Sequence, residues 1–228
     1  SWAIEHELIG ATPILKIKPP TSEKGRSRER VLDDTELARI WRAANKLGYP
    51  FGSIVQLIIL TGQRRGEVSG MKWEEIDLDR SVWTIPAYRC KNGRAHQVPL
   101  TKPCLDLITA LPRCSRNNGS SDYVFSSRSM PPSGFSKYKK RLDQKIESDG
   151  GPIKPYVLHD IRRTVATGMA RLGISLHVTE RCLNHVSGSF GGIVSIYQRH
   201  NYSNEMRDAF NAWISYVDEQ INAYNSWN

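Results

Sequence analysis

The sequence predicts a mainly helical fold with one small antiparallel β-meander, an α+β arrangement. Two patterns carry that expectation. Apolar residues recur at helical spacing over most of the chain, and residues 73–100 alone break into short apolar runs separated by turn residues. The scale is set by length: 228 residues with 39% hydrophobic side chains can bury one sizeable core and leave room for only a short appendage.

Taken in order, the chain opens at Ser1 without Met, and Trp2, Ala3, Glu5 and Leu8 read as the last turns of a helix that begins upstream. Residues 1–13 are therefore expected to be the tail of a helix from an upstream domain. Residues 14–30 read as an exposed linker, broken by Pro19 and Pro20. In it Lys24, Arg26, Arg28 and Arg30 bring positive charge within reach of a phosphate backbone, although a plain flexible tether would use the same composition. The globular part is then residues 31–228.

Its first helix is announced by Asp33 as N-cap, by Glu36 three residues on to complete a capping box, and by Leu32 with Leu37 as a hydrophobic staple. Leu37, Ile40, Trp41, Ala44 and Leu47 form its apolar stripe, and Gly48 ends it. Residues 51–61 are apolar nearly all round, which places a central buried helix there, closed by Gly62. The meander follows with Ile76 and Leu78, then Val82, Trp83 and Ile85, then Val98. Asn92-Gly93 reads as a two-residue hairpin turn that sets Lys91 just before its tip.

Helical spacing resumes over residues 101–111 and 135–146, on either side of a Ser/Pro/Gly-rich loop at 126–134. Ile161, Val165, Met169 and Leu172 mark a helix over residues 159–172, stopped by Gly173. Short helices are expected at 175–183 and 193–200, separated by the glycine-bearing segment 187–192. Met206, Phe210, Trp213, Ile214, Val217 and Ile221 stripe a final amphipathic helix, suited equally to docking on its own domain or on a neighbouring copy.

Composition then narrows the function. The longest apolar stretch, residues 54–60, contains Gln56 and is too short to span a bilayer, and the first thirty residues lack the apolar segment of a signal peptide. Cys90, Cys104, Cys114 and Cys182 are irregularly spaced, unlike a zinc site, and read as reduced thiols of a cytosolic protein. With no carboxylate cluster and no phosphate-binding glycine loop, neither a metal nor another cofactor is expected. The 32 Lys and Arg against 23 Asp and Glu leave a net charge of +9, which points to an anionic partner, most often nucleic acid; a basic surface kept for solubility gives the same arithmetic.

Several residues carry chemistry. In Thr61-Gly-Gln-Arg-Arg-Gly-Glu-Val68, Arg64 sits at a tight turn after the buried helix, where its guanidinium can fork onto phosphate while Glu67 orients it; an ordinary surface Arg–Glu pair has the same spacing. His159 and Arg162, at i and i+3 in Leu158-His-Asp-Ile-Arg-Arg-Thr164, share one helix face, as solvated residues also do. His185 follows Asn184 at the end of a short helix, and Tyr197 stands in Ile196-Tyr-Gln-Arg-His200 between apolar and polar neighbours, where an amphipathic core-edge tyrosine would also fit.

In order and spacing, Arg64 with Glu67, Lys91 in KNGRAHQVPL, His159 with Arg162, His185 and then Tyr197 resemble the tyrosine recombinase (phage integrase) family over about residues 31–215, with strings closest to prophage-type integrases. Two departures stand out: Asn184 replaces a glycine common in the family, and the interval from His185 to Tyr197 is longer than in its shorter members. The resemblance implies the tyrosine recombinase catalytic-domain fold, makes the helix tail at 1–13 that of an upstream core-binding domain, and implies site-specific strand exchange on double-stranded DNA attachment sites. It implies a homotetramer on DNA and a monomer or weak oligomer in its absence, in the bacterial cytoplasm at the nucleoid and with no membrane.

It also implies roles. Tyr197 attacks the scissile phosphate to give a 3′-phosphotyrosine, Arg64 and Arg162 clamp the non-bridging oxygens, and His185 is a further donor. Lys91 is the acid for the 5′-oxygen, His159 serves proton transfer or orientation, and Glu67 supports Arg64. Tyr202, five residues on, is the rival nucleophile. The rival functions are type IB topoisomerase-like strand relaxation and a non-catalytic DNA-binding module.

Overall fold

The computed structural model describes residues 6–8, 29–113, 115–116, 119–120, 122–126, 130–185 and 202–226. The candidate nucleophile Tyr197, the helix expected at 193–200, the glycine-bearing segment before it, Cys114, and Lys24, Arg26 and Arg28 of the basic linker lie outside the described residues. So does the expected helix tail at 1–13, apart from residues 6–8.

The first helix begins where its capping signals place it. Helix α1, Asp34–Leu47, is capped by Asp33, whose Oδ1 accepts the Glu36 N–H at 2.8 Å while Glu36 Oε2 accepts the Asp33 N–H at 3.0 Å. After Gly48 the chain turns into α2, Phe51–Thr61, in which every residue is buried. A helix apolar nearly all round has no face to give to water, so the rest of the domain is built around it. Helix α1 packs along it, and the short α3, Arg65–Ser69, continues from its C-terminus.

The meander forms as a three-stranded antiparallel sheet of β1, Ile76–Asp77, β2, Val82–Ile85, and β3, His96–Pro99, in that order. Trp83 pairs with Ile76 on one side and Val98 on the other, and its side chain is fully buried. The first expected strand is shorter than its pattern suggested, because Leu78 falls in the following turn and is exposed.

The two-residue hairpin expected at Asn92-Gly93 is corrected. The register pairs Ile85 with His96, so residues 86–95 form the connection, and a 3-10 turn over Ala87–Arg89 occupies its first half. Asn92-Gly93 instead closes a tight turn in which the Gly93 N–H donates to the Cys90 carbonyl at 3.0 Å, with Lys91 at the first inner position. The Asn-Gly signal marks a turn in both cases; what sequence does not show is that the chain leaves the ladder before reaching it.

Helix α4, Lys102–Thr109, is followed by a small two-stranded pair, β4, Ser115–Arg116, and β5, Gly119–Ser120, with no apolar alternation to announce it. Helix α5 covers Phe135–Ser148, α6 covers Leu158–Arg171, and α7 covers Leu176–Cys182 behind the N-cap Ser175. The last helix, α8, Ser203–Ser226, buries the whole predicted stripe against its own domain, packing on α1, α6 and α7.

Trp213 anchors α8, donating from Nε1 to the Ile59 carbonyl at 2.8 Å. Its ring lies where a Cβ on Gly168 would be, 2.1 Å from Trp213 Cζ3, so α6 and α8 approach closely only because that residue is glycine. Among the described residues no helix is long and apolar enough to cross a membrane.

Candidate active site: a cationic cleft

Four of the sequence-selected residues come together. Arg64, Lys91, His159 and Arg162 line one cleft of about 560 Å³. They arrive from α3, the β2–β3 connection and α6, segments distant in sequence and held together by α2. The same lining includes Arg65, Lys139 and Ser136, and no acidic side chain. A positively charged concavity of this kind favours an anionic group over a neutral one.

Arg64 is the N-cap residue of α3, and Glu67 three residues on holds it at both ends. Glu67 Oε2 accepts the Arg64 backbone N–H and Oε1 accepts Nη1, each at 2.9 Å, while Nη2 reaches the Asn184 carbonyl at 3.4 Å. The Glu67 side chain is 3% exposed and Arg64 23%, so this is no surface pair.

Arg162 departs from the solvated helix face its spacing allows. It is 2% exposed, and its Nη1 donates to the Gly62 carbonyl at 2.7 Å while Nη2 donates to the Leu183 carbonyl. Both acceptors are the residues that end helices, α2 and α7, where carbonyls lack helical partners and the helix dipole is negative. Gly62 is needed there: it has φ 63°, and a Cβ would stand 2.6 Å from Leu183 Cδ2. Burial, then the nearby Arg64, weaken the proton affinity of Arg162, and Glu67 opposes them. The guanidinium keeps its charge at neutral pH all the same.

His159 stands exposed on the first turn of α6. Burial of part of the ring, then Arg163, Arg162 and Arg64, hold its pKa below the ordinary imidazole value, against Asp160. His185 follows α7 and is driven further the same way by desolvation and then by Arg162, Arg64 and His159. His185 is thus within electrostatic reach of the cleft residues, though it is not among those lining the cleft.

Other residues are placed less centrally. Arg30 is turned back onto the domain, paired with Glu36 at 2.5 Å. Tyr202 packs its ring 4.5 Å from that of His177, with the Arg181 guanidinium 5.2 Å from its centroid, away from the cleft lining. Cys90, Cys104 and Cys182 are buried free thiols. No group of three or more His, Cys, Asp or Glu among the described residues is arranged to hold a metal ion.

Sequence reasoning passed over Arg65 and Lys139. Arg65 stacks over Phe135, 4.7 Å from the ring centroid, and Lys139 lies 3.7 Å over Tyr156 while pairing with Asp143 at 2.6 Å. The doubled arginine of TGQRRGEV was the available signal for the first. Lys139 had none, since α5 carries lysines on several faces.

A model of the phage integrase family matches residues 30–204, well over half of the chain. The chain belongs to the phage integrase family. Among its relatives, the prophage integrase IntA of Escherichia coli K12 is 29% identical over 159 residues, covering 70% of this chain and 37% of that protein. The integrase of Salmonella phage P22 is 24% identical over 186 residues, covering 77% of this chain and 45% of its own length. This integrase-family chain therefore spans less than half of either of these curated relatives.

Solved structures share its fold. A lambda integrase dimer bound to a COC′ core site superposes with a TM-score of 0.58 at 20% identity, over 89% of this chain and 56% of that one. The XerA recombinase gives 0.53 at 20% identity, over 85% and 66%.

Proposed function

We propose that the chain is the catalytic portion of a site-specific DNA recombinase, which cuts and rejoins double-stranded DNA at attachment sites through a 3′-phosphotyrosine to integrate or excise a mobile element. The observation that carries the reading is the cleft in which Arg64, Lys91, His159 and Arg162 converge without an acidic side chain. Membership of the phage integrase family and the curated integrases similar to it support the same substrate.

In this reading the Tyr197 oxygen attacks the scissile phosphorus, and the bond from phosphorus to the 5′-oxygen breaks. The phenol proton passes to His159 or solvent; a lowered pKa keeps that imidazole neutral and able to accept it. Arg64 and Arg162 hold the non-bridging oxygens and offset the charge that builds in the pentacoordinate transition state, with His185 as a further donor. Lys91 gives its proton to the departing 5′-oxygen.

One phosphodiester is exchanged for another, so the step is nearly isoenergetic, and attack by an incoming 5′-hydroxyl reverses it. The two guanidiniums supply the cationic charge the phosphate needs. Strand exchange between two duplexes calls for four cleaving subunits, hence a homotetramer on DNA and a monomer or weak oligomer without it, acting at the bacterial nucleoid in the cytoplasm. Lys24, Arg26, Arg28 and Arg30 are proposed to follow the DNA backbone, and Arg30 would do so by leaving Glu36.

Covalent trapping tests the reading. The full-length protein is incubated without metal on nicked duplexes tiled across the DNA flanking its gene, beside Tyr197→Phe and Tyr202→Phe, and resolved on denaturing gels. A metal-independent adduct lost only in Tyr197→Phe is the expected outcome. DNA binding with no adduct on any duplex would leave a non-catalytic binding module, and rapid relaxation of supercoils without exchange would favour the topoisomerase-like reading.

A further inference from the structure

The residue between Leu183 and His185 is asparagine, and its side chain reaches across the fold. Asn184 Oδ1 accepts a hydrogen bond from Asn92 Nδ2 at 2.7 Å, over a separation of 92 residues. Asn92 is the neighbour of Lys91 in the turn closed by the Gly93 N–H on the Cys90 carbonyl. Asn92 Oδ1 in turn accepts the Arg94 N–H at 3.1 Å, so the side chain that receives the tie is itself fixed to its own loop.

The backbone of Asn184 belongs to the other half of the site. Its carbonyl takes Arg64 Nη2 at 3.4 Å, the preceding carbonyl takes Arg162, and the following residue is His185. We propose that Asn184 is a positioning residue for Lys91, tying the β2–β3 connection to the arginine half of the cleft. The proposal rests on the acid role proposed for Lys91. A lysine has a long flexible stem, and a turn joined to its strands only at its ends would let the ammonium range widely; pinning Asn92 confines it.

Backbone preference alone could account for an asparagine here, since Asn184 has φ 50°, where glycine and asparagine are the favoured residues. Asn184→Gly separates the two explanations. It adopts the same backbone freely and loses only the side chain. Asn92→Ser is the second variant: its hydroxyl can still accept the Arg94 N–H but is too short to reach Asn184.

The test compares the full-length wild type, Asn184→Gly, Asn92→Ser and Lys91→Ala in single-turnover cleavage of two nicked duplexes from the DNA flanking the gene. One carries the natural 5′-oxygen at the cut and the other a bridging sulfur, which departs as a thiolate and needs no proton. Lys91→Ala is expected to lose cleavage of the oxygen duplex and regain it on sulfur. Asn184→Gly and Asn92→Ser are expected to fall about 10-fold on oxygen, to match wild type within about twofold on sulfur, and to bind duplex as tightly as wild type.

If Lys91→Ala recovers on sulfur while Asn184→Gly cleaves the oxygen duplex at the wild-type rate, or is slowed equally on both duplexes, the positioning role is overturned and the acid role stands. If Lys91→Ala stays inactive on sulfur, the acid role falls and the positioning role with it. Absence of any wild-type adduct on either duplex removes the recombinase reading itself.

Discussion

Replacing Glu67 by glutamine removes one charge and keeps the volume. The carboxylate now accepts two donors of Arg64, the backbone N–H and Nη1, each at 2.9 Å. Glutamine can accept only one of them and turns its own N–H toward the other. The loss is a charge-assisted hydrogen bond, about 1.5–3 kcal/mol, together with the counter-charge of a guanidinium that is 23% exposed. That partial exposure keeps the total at or below the lower end of the 3–5 kcal/mol of a fully buried pair broken on one side, so about 3 kcal/mol is expected. For a domain of this size each kcal/mol moves the midpoint roughly 2–4 °C, which gives a Tm lower by roughly 6–12 °C.

Cleavage should suffer separately, because Arg64 is no longer aimed, and a displacement of an ångström costs about 100-fold. Thermal melting by circular dichroism and single-turnover cleavage, measured on Glu67→Gln well below its Tm, report the two effects. A Tm within about 2 °C of wild type together with unchanged cleavage would refute the idea that this carboxylate holds Arg64 in place.

Three further outcomes follow from the packing and charge of the site. Gly168→Ala drives a methyl into the Trp213 ring and should destabilise by about 1–3 kcal/mol by overpacking, less up to about 1 kcal/mol of helix propensity; a Tm at or above that of wild type would show that α8 yields freely. His96 is buried with Nε2 3.3 Å from the Cys182 carbonyl, and burial lowers its pKa to about 4. Unfolded, it takes up a proton near pH 6.5, so its contribution is complete above that pH and declines as pH falls toward 4, by about 2 kcal/mol at pH 5. Urea midpoints at pH 8 and 5 should therefore lie closer together in His96→Gln than in wild type, the remaining difference coming from His159 and His185, and an equal pH dependence in both proteins would exclude His96 as a source. Arg162→Lys, which cannot bridge the Gly62 and Leu183 carbonyls with one ammonium, should slow adduct formation at least about 100-fold; near-normal trapping would mean that charge alone suffices.

Local signals in the sequence were read well where local physics decides. Asp33, Glu36 and Gly48 bound α1 because caps act within one turn, and residues 51–61 form α2 because a segment apolar nearly all round and bounded by Gly62 is buried as a helix in a core of this size. The order Arg64, Lys91, His159, Arg162 carried the cleft, since four cation or imidazole positions in one succession are hard to satisfy otherwise. Contacts made across the fold were not legible. Nothing in Leu158-His-Asp-Ile-Arg-Arg-Thr164 tells a solvated Arg162 from one sunk between two helix ends, because the acceptors are backbone carbonyls that any residue provides. The Asn92–Asn184 bond joins positions that sequence shows only as a turn asparagine and a departure from glycine. The β4–β5 pair escaped notice because two-residue strands have no periodicity to detect.

The guanidinium of Arg162 joins carbonyls of residues 62 and 183, from helix ends made early and late as the chain is synthesised. A ribosome that has released α6 has not yet supplied Leu183, so the nascent arginine lacks one of its two anchors. Anchoring of Arg162 at both ends therefore waits for α7, and a polypeptide truncated earlier would hold its guanidinium by the Gly62 carbonyl alone.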